Sequence, residues 1–246
     1  GGKVSRLPAE LLKLPAGKKI GKVKDAAFSY EIGNIIAEEL KSFGLNMNFA
    51  PVLDIHSNPK NAVIGNRAFG SDEKVVSEMG VQMMKGIQSG GIISVVKHFP
   101  GHGDTTADSH IGLPVVEHDL DRLKTFEWIP FMHAISNGAE AVMVGHILFP
   151  KIDSQNPATF SKILITKWLK EELKFDGLII TDDMTMGAII KNYHIGDAAV
   201  KSVLAGSDII LVAHEYEKAK EVMQALKEAV EKDLITESRI DESVYK

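Results

Sequence analysis

The run Lys97-His98-Phe99-Pro100-Gly101-His102-Gly103-Asp104-Thr105-Thr106-Ala107-Asp108-Ser109-His110 gathers a lysine, three histidines and two aspartates into one glycine-bearing loop. Those side chains could ligate a metal, move protons, or hydrogen-bond within a polar loop. Asp108 stands two positions before His110. A carboxylate so placed can orient an imidazole and raise its pKa, and such a histidine gives and retakes a proton near neutral pH. The same triplet also fits a turn closed by an Asx hydrogen bond. His98 and His102 have the four-residue spacing of helical metal ligands. Pro100 and Gly101 between them exclude a regular helix, and no HExxH pattern occurs, so the chain is expected to need no metal or cofactor.

A second constellation is Asp182-Asp183, directly after the apolar run Gly177-Leu178-Ile179-Ile180-Thr181. Adjacent carboxylates at a buried strand end are costly unless hydrogen-bonded or used. Nucleophile, general base and metal ligand are open for the pair, and an N-cap for a helix beginning at Met184 suits Asp183. Lys97 and His98 close another apolar run and could hold the hydroxyls of a polar ligand, or be a solvated lysine and a satisfied histidine. Arg67 offers a planar fork for a hydroxyl or carboxylate, or a surface salt bridge. Asp54 follows a strand and could bind ligand, but reads rather as a structural partner for loop groups.

Helix and strand signals alternate along the chain. Ala26 to Phe43, Asp72 to Ser89, Asp119 to Asn137, Ser161 to Lys174, Gly196 to Ala205 and Tyr216 to Lys232 have helical character. Leu45 to Pro51, Ile92 to Val96, Ala141 to Val144, Gly177 to Thr181 and Asp208 to Ala213 read as strands. Thr236 caps a last short helix. Gly1 to Lys24 reads as loop, with Pro8 and Pro15 as breakers. Such alternation argues a parallel sheet with crossover helices. Asp54, His98, His146, Asp182 and His214 all follow strands, which in a (β/α)8 barrel share one face. Five strands are counted, so the expectation is an α/β TIM-type (β/α)8 barrel lacking its first strand or strands, with residues 1–246 as one catalytic domain.

The 246 residues carry a net charge of −5, which argues against a nucleic-acid partner. No apolar run reaches the length of a membrane span. Cysteine is absent, excluding disulfides and thiolate chemistry without fixing the compartment. The chain starts Gly1-Gly2, so a signal peptide could have been removed before it, and the location stays open between cytoplasmic and secreted.

KHFPGHGDTTADSH, with IGNRAFG, FAPVLDI and FDGLIITDDMTMGAI, resembles glycoside hydrolase family 3, and within it the β-N-acetylglucosaminidase branch. The resemblance implies a retaining exo-glycosidase acting on terminal β-linked N-acetylglucosamine, from cell-wall fragments or chitin oligosaccharides. It implies Asp182 as nucleophile and His110 as acid/base with Asp108 orienting it, a departure from the usual carboxylate pair. It implies Arg67, Lys97 and His98 as holders of sugar hydroxyls, with His146 near the pocket. Family 3 β-glucosidases carry Ser-Asp-Trp at the nucleophile, where this chain has Asp183 in place of the Trp. Gly1-Gly2 matches the end of a family stretch whose sugar-binding Asp would precede residue 1. A missing N-terminal segment of the same chain is therefore an expected partner. The alternatives are a phosphorylase with the same site and a sugar-binding piece without catalysis.

Overall fold

The computed structural model describes residues 11–105 and 112–246, and the chain divides into two compact units. The first comprises Gly1–Asp104 and Asp121–Met143, the second Thr105–Leu120 and Val144–Lys246.

In the first unit, helices α1 (Gly17–Val23) and α2 (Ala26–Ser42) precede the short strand β1 (Met47–Asn48). A 3-10 turn (Gly65–Arg67) leads to α3 (Glu73–Ser89) and strand β2 (Ile93–Phe99). After α4 (Leu120–Arg122), which starts at the unit boundary, come a π-turn (Leu123–Glu127), α5 (Ile129–Ser136) and strand β3 (Ala141–Val144). The strands follow chain order, β1-β2-β3. β1 and β2 are parallel, pairing Met47 with Ile93 and Asn48 with Ser94. Pro51 has no N–H to offer, and the ladder resumes where Val52 bridges Lys97. The expected strand to Pro51 is thus shorter and interrupted.

Helix boundaries follow the caps. Asp25 accepts from Phe28 N, and Asp72 from Lys74 N and Val75 N. The apolar faces of α2 and α3 bury Ile32, Leu40, Val76, Met79, Met83 and Ile87 in one core. α1 corrects the expectation of a loop to Lys24. Its inward face pairs two glycines, Gly17 and Gly21, with a single aliphatic, Ile20. A Cβ on Gly17 would collide with the Arg67 carbonyl oxygen, and one on Gly21 with that of Phe69. Close backbone packing takes the place of side-chain burial at two of its three buried positions, and one isoleucine sets no apolar periodicity to mark the helix.

The second unit has a 3-10 turn (Ala158–Phe160) and a π-wound helix (Ile163–Glu172) whose first turn is capped by Ser161, which accepts from Leu164 N. Strand β4 (Leu178–Thr181) follows, then α6 (Gly187–Ile190), α7 (Ile195–Ala205), α8 (Tyr216–Glu231) and α9 (Glu237–Val244). Phe160, Met184, Ile189, Ile195, Ala198 and Val222 share a core. Beyond β4, Asp182 N donates to Val144 O, the residue of β3 that belongs to this unit. On its other side β4 meets residues 208–213. The expected strand there reduces to one bridge, Ile180 with Ile209, because the Thr181 hydroxyl accepts from Leu211 N in place of a backbone carbonyl. Among the described residues no helix is long and apolar enough to cross a membrane.

Candidate functional site

In the first unit the site is built around Asp54, which is wholly buried. Its carboxylate accepts from His98 N (3.2 Å), His98 Nδ1 (2.7 Å) and His102 N (2.7 Å). Burial alone would push this carboxyl up. The His98 imidazole, and the hydrogen bonds from His98 and His102, outweigh that and hold it below the ordinary aspartate value. The expectation of a structural Asp54 is met in these bonds.

With Nδ1–H given to Asp54, His98 turns Nε2 toward the Arg67 guanidinium, 3.4 Å away. Arg67 closes the 3-10 turn, which Asn61 starts by accepting from Val63 N and Ile64 N. Its Nη1 donates to Val63 O. The structure therefore brings Arg67, His98 and Asp54 together. Lys97 stands one residue earlier on β2, half-buried, its backbone fixed by Pro51 O and Leu53 N. The Lys97–His98 peptide is cis, as are Ala50–Pro51 and Phe99–Pro100.

The start of the histidine-rich loop is fastened rather than loose. Asn61 Nδ2 donates to His102 O (2.7 Å), and a Cβ on Gly103 would collide with the Ile55 carbonyl oxygen. One on Gly101, whose φ is +127°, would lie 3.0 Å from Glu127 Cβ. These glycines serve close packing. Asp108 and His110 lie outside the described residues.

The second unit holds the paired carboxylates. Asp182 is half-buried, and its Oδ1 accepts from Asp183 N at 2.8 Å. Asp183 Oδ1 accepts from Thr185 N and Ala213 N, and Oδ2 from the Thr185 hydroxyl. Helix α6 starts later, with Met186 at its cap, so Asp183 closes a turn and ties down residue 213 instead of capping a helix at Met184. His146 is buried, with Nδ1 2.7 Å from Thr159 Oγ1 and Nε2 3.0 Å from Asp183 O. His214 lies exposed, its Nε2 3.9 Å from Asp183 Oδ2.

Sequence reasoning gave no role to Asn61 or Thr159, and left His102 open among metal ligand, proton carrier and hydrogen-bonder. Each acts through a non-local bond that no local pattern announces. Among the described residues no group of three histidine or acidic side chains is arranged to hold a metal ion.

A beta-hexosaminidase of Methylobacillus flagellatus is 35% identical over 92% of this chain and 66% of its own length. Beta-hexosaminidase A of Pseudoalteromonas piscicida is 32% identical over 99% of this chain and 44% of its own. The chain thus spans under two thirds of these curated relatives. A solved glycoside hydrolase family 3 beta-N-acetylglucosaminidase from a Paenibacillus species superposes with a TM-score of 0.97 at 46% identity, covering 99% of this chain and 47% of that one. The fold class is accordingly the TIM-type (β/α)8 barrel. The model of the glycosyl hydrolase family 3 N-terminal domain matches residues 1–246, and the chain belongs to that family.

Proposed function

We propose that this chain carries the catalytic groups of an exo-acting retaining β-N-acetylglucosaminidase. The observation that carries the reading is Asp182: a carboxylate directly after β4, oriented by the Asp183 N–H, in a chain whose relatives are named beta-hexosaminidases. In this reading Asp182 attacks the anomeric carbon while His110, oriented by Asp108, protonates the departing glycosidic oxygen. A glycosyl ester forms on Asp182. The now neutral His110 takes a proton from water, the water attacks the same carbon, and the sugar leaves with its configuration retained. Arg67, Lys97 and His98 hold sugar hydroxyls, and Asp54 fixes the His98 ring for that task. No cofactor enters the scheme. The substrates are terminal β-linked N-acetylglucosamine residues, as in cell-wall fragments or chitin oligosaccharides.

The test is hydrolysis of an aryl N-acetyl-β-glucosaminide followed by proton NMR. The β-anomer of the free sugar should appear first, without added phosphate, and D182A should lower turnover by about 10³-fold or more. Sugar phosphate formed only when phosphate is supplied would establish the phosphorylase. Binding of N-acetylglucosamine without turnover would leave a sugar-binding piece.

A further inference from the structure

The nucleophile assignment leaves His146 unexplained. Its ring is 1% exposed and both nitrogens are engaged inside the second unit. A carbonyl oxygen can only accept, so the Nε2 facing Asp183 O carries a proton. Nδ1 is held by the Thr159 hydroxyl, itself fully buried and 3.2 Å from Gly145 O. Resting on the functional reading above, we propose that His146, anchored by Thr159, is a positioning residue for the nucleophile: it fixes the Asp183 backbone whose N–H aims the Asp182 carboxylate.

The chain of contacts is short. Thr159 sets the imidazole plane, and the imidazole pins the Asp183 carbonyl. Thr185 and Ala213 pin the Asp183 side chain. A residue held at its carbonyl and its side chain has little freedom left at its own N–H. That N–H is the 2.8 Å donor to Asp182 Oδ1. Asp182 N, bonded to Val144 O, fixes the other side of the same peptide stretch. Attack on an anomeric carbon tolerates little error in the carboxylate's direction, and a misplacement near 1 Å costs about 10²-fold in rate.

The experiment compares H146F, H146Q and T159V in the chain as it stands, with the aryl N-acetyl-β-glucosaminide as probe. H146F keeps a ring but loses both hydrogen bonds, whereas the Gln amide can replace the Nε2–H. H146F should lower kcat by about 10²-fold with KM little changed, H146Q should recover much of that loss, and T159V should lose about tenfold. Unchanged kcat in H146F and T159V would overturn the proposal. So would a raised KM at full kcat, the mark of a sugar contact. Should H146F fail to fold, T159V decides. Should the wild type not turn over, the functional reading fails separately. The carbon-13 carboxyl resonance of Asp182 then decides: a shift in T159V supports the positioning role and no shift overturns it.

Discussion

At Asp54 three N–H groups converge on one buried carboxylate, and the consequence is measurable in acid. Its folded-state pKa lies below the ordinary value. The unfolded chain therefore binds the proton first as pH falls, and the stabilisation, complete at neutral pH, is lost as pH drops through the folded value, below about pH 4. D54N should cost roughly 3 kcal/mol at neutral pH, because the N–H donors of His98 and His102 lose an anionic acceptor. It should also flatten the acid limb of a plot of urea midpoint against pH. An acid limb unchanged in D54N would remove Asp54 as its source. The place of Asp182 was legible, since an apolar run ending in Asp-Asp marks a strand end. The partners of Asp54 and His146 were not, because each bond joins segments that meet only on folding.

Among the elements, those defined by caps and apolar spacing were read correctly: Asp72 begins α3, and Ser161 caps the helix that follows it. α1 escaped because two of its three buried positions are glycine, and glycine looks the same in a loop. This gives a prediction opposed to helix propensity. Replacing a helical glycine by alanine ordinarily gains up to about 1 kcal/mol. G21A should instead lower stability by about 2 kcal/mol, because its Cβ would push on the Phe69 carbonyl, and should through that segment displace Arg67, two residues earlier. Thermal unfolding measures the first effect. A raised KM for the aryl glycoside, if Arg67 holds sugar, measures the second. A stabilised G21A would show that this contact yields. Residues 208–213 were read as a strand on composition. A side-chain hydroxyl in the ladder, that of Thr181, is invisible to any count of apolar residues.

For the whole molecule, alternation of helix and strand was enough to reach the fold class, since crossover connections dictate a parallel arrangement. The division into two units was not legible, because it follows spatial contacts and not sequence breaks. Trp128 belongs to the first unit and Trp168 to the second. With one tryptophan left in each, W128F and W168F turn fluorescence into a report on a single unit. Each unit draws on two separate stretches of chain, so neither should unfold alone. In either variant the fluorescence transition should coincide with that seen by far-ultraviolet circular dichroism. Separated transitions would establish independent folding. The same interleaving bears on dissection at the level of the gene. The backbone passes between units after Asp104, after Leu120 and after Met143. A clone stopped after Asp104 lacks residues 121–143 of the first unit, and one stopped after Met143 holds that unit whole but carries residues 105–120 of the second with it, so no single exon-like cassette transplants one unit free of the other.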